Sequence, residues 1–273
     1  MPKRLFTRLS RLTVVPLVLV LATALSGCGS GAQDASPAGT SSDPSAAAGS
    51  QATLTVFAAA SLTGTFTELG KTFEAANPGT TVRFNFGSSA TLAQQIVQGA
   101  PADVFAAASP ATMKTVTDAS LAAAPTTFVR NTLQIAVPAD NPAKVDDLAD
   151  LANPKTKVAL CAAQVPCGAA AAKALDAAGL KVTPVTLEQD VKATLTKVEL
   201  GEVDAALVYK TDVIASGGKV TGIDFPEAGK AVNDYPIATL TKAPAPGLAG
   251  KFVDLVLSPQ GRDVLTKAGF DAP

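Results

Sequence analysis

The chain has 273 residues, of which 47% are hydrophobic and 16% charged, with 22 Lys and Arg against 23 Asp and Glu and no His. A chain without His cannot use a His-dependent nucleophile relay, a His-ligated zinc or a histidine pH switch. A net charge near zero supplies no basic surface of the kind that nucleic acids require, so we expect no nucleic-acid partner. The length fits one large or two modest domains.

Residues 1–27 have the parts of a secretory signal: a basic start, an apolar run and small residues before a cysteine. The apolar run over 12–25 is shorter than the roughly 20 residues of a membrane-spanning helix. Leu25–Cys28 (LSGC) resembles the bacterial lipobox, which implies cleavage before Cys28 and lipid on its thiol and amine. We expect a lipoprotein signal peptide over 1–27 and a protein anchored to the outer face of the cell membrane by Cys28; the alternative is an uncleaved anchor.

Removing residues 1–27 leaves 18 Lys and Arg against 23 Asp and Glu, a net charge of −5. After Cys28, residues 29–51 contain no large apolar side chain. Such a segment cannot bury enough surface to offset its chain entropy. Residues 28–51 are therefore predicted to be a lipidated cysteine and a disordered tether.

The first half of the remaining chain alternates strand-like and helix-like apolar spacing. Strands are predicted at 53–58, 82–86 and 103–106. Each is followed by a predicted helix, marked in turn by Leu62, Phe66, Leu69 and Phe73, by Leu92 and Ile96, and by Met113 and Val116. This alternation predicts a parallel sheet flanked by helices.

A second series begins near Leu133. Its predicted strands lie at 133–137, 157–160, 205–209, 218–223 and 236–240. Its predicted helices are a short one through Leu148 and Leu151, one over 169–178 that ends at Gly179, one over 191–198 that Asp190 opens, and two at the end, of which one starts at Ser258-Pro259. We predict an α/β protein of two lobes, each a mostly parallel sheet flanked by helices. Lobe 1 comprises 52–131 plus 237–273, and lobe 2 comprises 132–236.

Cys161 and Cys167 are the only cysteines in the folded part. No His is available to complete a metal site with them. Outside the cytoplasm, the pair is predicted to form a disulfide around a five-residue loop, although free thiols are the alternative.

Small hydroxyl residues follow the first two predicted strands. Ser61 opens the first helix, and Gly87-Ser88-Ser89 precedes the second. Helix N-termini favour anions, and α/β proteins bind ligands at the carboxyl ends of strands. Two readings remain open: the serines line an anion site, or they are only helix N-caps.

Several segments, in order over 52–271, resemble the periplasmic molybdate-binding proteins of ABC importers. They are Val56–Leu62 (VFAAASL), Phe86–Ile96 (FGSSATLAQQI), Gly99–Phe105 (GAPADVF), Val165–Gly168 (VPCG), Asp190–Lys192 (DVK), Leu207–Tyr209 (LVY), Tyr235–Ala238 (YPIA), Ser258–Gly261 (SPQG) and Gly269-Phe270. The resemblance implies a two-lobed, hinged type II binding-protein fold that closes on a tetrahedral oxyanion in the interlobe cleft. It also implies a monomer with no cofactor and no enzymatic activity, which delivers its ligand to an ABC permease.

The resemblance carries five ligand positions onto this chain. Ser61 and Ser89 would supply hydroxyl and backbone donors, Cys167 and Val191 backbone N–H groups, and Tyr209 its hydroxyl; ordinary packing is the alternative for Tyr209. Two positions depart from the family pattern. Cys167 replaces the usual Ala, which a backbone donor tolerates, and Lys192 replaces an Arg outside the expected ligand shell.

A site made of N–H and O–H donors without a carboxylate prefers a fully deprotonated oxyanion. It disfavours hydrogen phosphate, whose proton would find no acceptor. We therefore expect molybdate or tungstate as the ligand, with sulfate or another small anion as the alternative. A hydrolase or transferase is a third possibility, and it would need a pair of carboxylates facing the cleft.

Overall fold

The computed structural model describes residues 52–273. The predicted signal peptide, the lipidated Cys28 and the tether to residue 51 lie outside the described residues. Within 52–273, none of the helices combines the length and the apolar character needed to cross a bilayer.

The described chain contains ten strands and eight α-helices. The first part consists of β1 Ala52–Ala59, α1 Thr63–Ala76, β2 Thr80–Gly87, α2 Ser89–Val97, β3 Val104–Ala106, α3 Pro110–Asp118 and β4 Thr126–Asn131. The second part consists of β5 Leu133–Pro138, β6 Val158–Cys161, α4 Pro166–Ala178, β7 Thr186–Glu188, α5 Val191–Glu199, β8 Ala205–Tyr209, α6 Lys210–Ala215 and β9 Val220–Ile223. The chain ends with β10 Asn233–Thr239, α7 Pro246–Leu257 and α8 Pro259–Lys267, and short 3-10 turns lie at Ala60–Leu62, Ala149–Ala152 and Pro226–Lys230.

The strands form two five-stranded sheets with the same layout. The orders are β2-β1-β3-β10-β4 and β7-β6-β8-β5-β9. In the first sheet only β10 runs against the other strands, and in the second only β5 does. The prediction of two mostly parallel sheets flanked by helices is confirmed.

The return crossing to the first sheet comes earlier than predicted. The sequence suggested a strand from residue 236 and a lobe boundary between 236 and 237, but β10 begins at Asn233, which pairs with Asn131 of β4. The register shifts between Tyr235 and Pro236. Pro usually starts a strand or sits at an irregularity, and here it sits at an irregularity inside one. Residues 233–236 therefore belong to the first sheet.

The apolar face predicted for α1 packs into the core of the first lobe. Phe66, Leu69 and Phe73 are buried. The rings of Phe66 and Phe73 meet Phe252 of α7 edge-on, at centroid distances of 5.8 and 5.5 Å. Such edge-to-face pairs stabilise beyond the area that they bury. The C-terminal helices thus hold α1, and with it the end of β1, in place.

Local capping signals also fix the ends of three helices. Asp190 caps α5, because its Oδ1 accepts the N–H of Ala193 at 2.9 Å. Gly179 ends α4 with a left-handed φ of 67°. The Ser258 hydroxyl caps α8 by accepting the N–H of Gly261 at 3.1 Å. These three predictions are confirmed, whereas β4, β7 and α6 were not predicted.

Candidate functional site

All five residues predicted as ligand positions line one cavity. The cavity encloses about 220 Å³ of empty space, part of it open to solvent. Its lining consists of Ala59, Ala60, Ser61, Gly87, Ser88, Ser89, Ala108, Val165, Pro166, Cys167, Asp190, Val191 and Tyr209. Residues up to Ala108 belong to the part of the chain that forms the first sheet, and the others to the part that forms the second.

Three helices begin at this cavity. Ser89 is the first residue of α2, Cys167 the second of α4 and Val191 the first of α5. The first N–H groups of a helix have no intrahelical acceptor, and the helix dipole makes that end positive. The backbone therefore supplies N–H donors and partial positive charge from three helix starts, which suits an anion.

Ser61 and Ser89 do not act as helix caps. The Ser89 hydroxyl accepts the N–H of Ala108 at 3.0 Å. The Ser61 hydroxyl lies 3.0 Å from the hydroxyl of Tyr235. Both serines are buried, and neither side chain bonds to the start of its own helix. The reading of these two serines as simple N-caps is wrong.

Tyr209 is the last residue of β8. Its ring is buried, and its hydroxyl has a hydrogen-bond partner in the protein. Asn233 Nδ2 donates to the Tyr209 hydroxyl at 2.9 Å. Burial raises the pKa of Tyr209 well above its ordinary value, and the neighbouring Tyr235 and Asp212 raise it further. The phenol therefore keeps its proton at neutral pH and can donate it to a ligand. Tyr209 combines core packing with a place on the cavity wall, so the two readings of this residue are compatible.

One expectation about the cavity needs correction, because an acidic residue lies on its wall. Asp190 is part of the lining. One of its oxygens is occupied by the N–H of Ala193, as described above. Asp190 is the only Asp or Glu among the lining residues, so the described cavity does not present the carboxylate pair that acid–base hydrolysis would need.

A second acidic group lies behind Tyr209. Asp212 is fully buried, and its Oδ2 accepts the N–H of Tyr209 at 3.3 Å. Lys192 Nζ lies 3.2 Å from Asp212 Oδ1, close enough for an ion pair but without hydrogen-bond geometry. Burial raises the pKa of Asp212, and Lys192 opposes that rise. Lys192 thus lies outside the lining, as expected, and its ion pair is with Asp212.

A disulfide and a close backbone approach shape the start of α4. Cys161 and Cys167 form the predicted disulfide, with Cα atoms 5.8 Å apart. A Cβ added to Gly168 would overlap the carbonyl oxygen of Ala162 and lie 2.7 Å from that of Cys161. The first turn of α4 therefore lies directly against the end of β6. This contact sets where the N–H of Cys167 lies.

Sequence reasoning missed one residue of the cavity that bears a hydroxyl. Ser88 is buried, and its hydroxyl has no hydrogen-bond partner among the described residues. The motif Gly87-Ser88-Ser89 did draw attention to this position, but the family pattern assigned only Ser89. A buried hydroxyl without a hydrogen-bond partner lowers the stability of the fold unless a ligand or a water molecule bonds to it.

Residues 52–273 contain no cluster of three or more His, Cys, Asp or Glu side chains arranged to hold a metal ion. The lining also contains no Lys or Arg. Any anion bound there would be held by neutral donors.

The chain is similar to known proteins over nearly its whole length. Residues 54–271 match the family of bacterial extracellular solute-binding proteins. A molybdate-binding protein ModA of Mycobacterium tuberculosis is 44% identical over 255 residues, which cover 93% of this chain and 95% of that protein.

Solved structures agree with the fold. A periplasmic molybdate-binding protein of Azotobacter vinelandii has a TM-score of 0.70 at 22% identity, with 81% of this chain and 99% of that one covered. The sulfate-binding protein SubI of M. tuberculosis also has a TM-score of 0.70, at 19% identity, with 81% and 87% covered. The match over 54–271 and the 44% identity establish that this chain belongs to the family of bacterial extracellular solute-binding proteins.

Proposed function

We propose that this protein captures molybdate outside the cytoplasmic membrane and delivers it to the permease of an ABC importer. The observation that carries the proposal is that Ser61, Ser89, Cys167, Val191 and Tyr209 line one cavity into which three helices open. The similarity to proteins named for molybdate binding supports the choice of ligand.

The chemistry of the lining suits a fully deprotonated dianion. Hydroxyl and backbone N–H groups donate, and a tetrahedral oxyanion offers only acceptors. Tungstate has the same charge and nearly the same shape, and we propose that it binds as well. Sulfate is smaller, so its rejection depends on the size of a cavity whose walls are largely backbone.

The two lobes contribute different donors. Ser61 and Ser89 come from the first lobe, and Cys167, Val191 and Tyr209 from the second. A ligand favours a closed state only through contacts that it makes in that state and not in the open one. An anion that bridges both sets of donors would therefore drive hinge closure over itself.

We further propose that the signal peptide over 1–27 is cleaved and that lipid on Cys28 holds a monomeric binding protein to the outer face of the membrane. The LSGC tetrapeptide supports this part of the proposal. Mass spectrometry of the membrane fraction would detect a diacylated or triacylated N-terminal Cys28. An unmodified Cys28 in a chain that retains residues 1–27 would contradict it.

Molybdate is expected to stabilise the purified chain without its signal peptide by about 2.7 kcal/mol when present at 100 times its Kd. Thermal unfolding with molybdate, tungstate or sulfate measures this effect, and competition titration ranks the three anions. The Ser61→Ala, Ser89→Ala double variant should lose most of the shift. The control is Ser216→Ala, which removes a buried hydroxyl that lies outside the cavity lining. Stabilisation by sulfate alone would overturn the proposal.

Replacing Asp190 by Asn is expected to raise molybdate affinity roughly fivefold, equivalent to about 1 kcal/mol. Asn caps helices about as well as Asp, so the start of α5 should stay in place. The variant removes a negative charge from the wall of a cavity that takes a dianion. Isothermal titration of both proteins measures the change. An unchanged or lower molybdate affinity in the variant would contradict this expectation.

A further inference from the structure

The segment Gly269–Asp271 follows α8 and touches both lobes next to a crossing that joins them. Asp271 pairs with Arg130 of β4, and each donates its backbone N–H to the carbonyl of the other, at 3.0 and 2.9 Å. Arg130 lies one residue before Asn131, at which β4 ends and the chain crosses to the second lobe. The pair Gly269-Phe270 is part of the family resemblance, yet neither residue lines the anion cavity. Any effect of the pair on a ligand is therefore indirect.

Gly269 lies against α6, a helix of the second lobe. Its φ of 94° is in the left-handed region, and a Cβ there would overlap Ile214 Cδ1 and lie 3.8 Å from Thr211 Cγ2. Glycine lets the segment approach α6 closely in this conformation. Thr211 is itself tied to the crossing, because Asn131 Nδ2 donates to its hydroxyl at 2.8 Å. The segment is therefore held by α6 at one end and by β4 at the other.

Phe270 is buried between these two contacts and packs on Tyr235. The two rings meet edge-on, with their centroids 5.5 Å apart. The Tyr235 hydroxyl lies 3.0 Å from the Ser61 hydroxyl and 3.4 Å from Asn131 Nδ2. The Tyr235 ring also meets that of Tyr209 edge-on, at 6.0 Å. Tyr235 thus packs against two proposed ligand side chains, one from each lobe.

Close packing makes the position of the Tyr235 ring depend on Phe270. Both rings are buried, and Phe128 meets the Tyr235 ring edge-on at 6.5 Å. Protein interiors contain few voids, so the neighbours of a ring set where it lies. A smaller side chain at 270 would leave space into which Tyr235 can relax. Because a hydrogen bond is strong only within a narrow range of distance, such a shift would alter the contact between the Tyr235 and Ser61 hydroxyls.

We propose that Phe270 is a positioning residue for the anion site and that it acts through the Tyr235 hydroxyl on Ser61. Gly269 and Asp271 fix where the Phe270 ring lies. The inference rests on the proposed function and deepens it. In the proposed complex Ser61 contacts the anion, and Tyr235 holds Ser61 in place. The segment after α8 therefore influences molybdate affinity without touching the ligand.

The variant Phe270→Leu tests the proposal, because it keeps an apolar side chain and removes the ring that packs on Tyr235. We expect the molybdate Kd, measured by isothermal titration, to rise about tenfold. The matched control is Phe225→Leu. Phe225 is also buried, but it lies in the second lobe and outside the cavity lining. Both variants should lose stability, whereas the Kd of the control should stay within about twofold of wild type.

A double-mutant cycle separates positioning from a general loss of packing. Tyr235→Phe keeps the ring against Phe270 and removes only the hydroxyl that meets Ser61, so the molybdate Kd should again rise about tenfold. If Phe270 acts through that hydroxyl, adding Phe270→Leu to Tyr235→Phe should change the Kd less than about twofold. Chemical denaturation of the same four proteins should show the stability loss of Phe270→Leu in both backgrounds.

An unchanged molybdate Kd in Phe270→Leu, with a wild type that binds molybdate, overturns the inference. A double variant whose Kd rises about a hundredfold also overturns it, because the two substitutions then act independently. If the wild type itself fails to bind molybdate, the proposed function is overturned instead.

A second pair of variants tests the inference should Phe270→Leu fail to fold. Gly269→Ala strains the backbone next to Phe270 and adds a Cβ that overlaps Ile214 Cδ1, so we expect Phe270 to shift and the molybdate Kd to rise roughly fivefold. The matched control is Gly79→Ala, at a φ of 82° with nothing within 4 Å of the added Cβ and at the opposite end of β2 from the cavity. Both substitutions place Ala at a positive φ and should lower stability by similar amounts. If both variants bind molybdate as the wild type does, the inference is overturned.

Discussion

Replacing Gly168 by Ala is expected to lower the free energy of unfolding by about 3 kcal/mol and to weaken molybdate binding more than tenfold. The added Cβ would overlap the carbonyl oxygen of Ala162, and the other atoms that it meets are also backbone, so no flexible side chain can move aside. The start of α4 must then shift away from β6. That shift moves the N–H of Cys167, which lies in the first turn of α4.

Chemical denaturation and titration calorimetry measure the two effects. The matched control is Gly250→Ala in α7, where a Cβ meets nothing within 4 Å. That substitution should be neutral or slightly stabilising, because Ala favours helix over Gly. If Gly168→Ala retains wild-type stability and affinity, the start of α4 is not held as described.

Removing the disulfide by the double variant Cys161→Ala, Cys167→Ala is expected to lower the free energy of unfolding by about 2 kcal/mol. The bond closes a short loop, with a sequence separation of 6, so the constraint that it places on the unfolded chain is modest. We also expect a several-fold loss of molybdate affinity, because the bond ties the residue that presents a backbone donor to the end of β6. Titration with and without a reductant gives an independent estimate on the wild-type chain.

The reduced wild type and the double variant should agree in affinity. Agreement would assign the loss to the missing bond and not to the missing sulfur atoms, of which Cys161 Sγ also lies 3.2 Å from Thr194 Oγ1. Equal molybdate affinity of the oxidised, reduced and double-variant proteins would contradict a role for the bond in the site.

Elements with strong local signals could be predicted from the sequence. The apolar positions Phe66, Leu69 and Phe73 at helical spacing identified α1, and Asp190 and Ser258 marked the starts of α5 and α8. These signals work because helix formation depends on neighbours three and four residues away and on the first turn.

The missed elements depend on distant parts of the chain. β4 pairs with β10, more than 90 residues later, and its register with that strand is broken at Pro236. α6 has only six residues, and its first turn contains the buried Asp212, which disrupts an amphipathic pattern. β7 has three residues at the edge of its sheet. None of these segments carries a periodic signal long enough to read.

Some features of the candidate site could be predicted from the sequence and others could not. Two hydroxyl residues at strand–helix junctions were visible in the sequence, and the family resemblance supplied Cys167, Val191 and Tyr209. The hydrogen bonds from Asn131 and Asn233 could not be predicted, because they join residues 80 and 24 positions apart and follow no motif. The position of Asp190 in the cavity lining was not predicted, because its role as the N-cap of α5 was enough to explain an Asp at that point of the sequence.

The strand order of the first sheet also bears on how the protein reaches its folded state. β10 lies between β3 and β4, so the first sheet stays incomplete until residues 233–239 have been made, whereas every strand of the second sheet lies within 133–223. During synthesis the amino terminus is made first, so the second sheet can form all of its strand pairs while β3 still has an unpaired edge. Chains aggregate at unpaired strand edges of this kind. A truncated product that ends before β10 would therefore lack Asn233 and Tyr235 and would leave an open sheet edge as well.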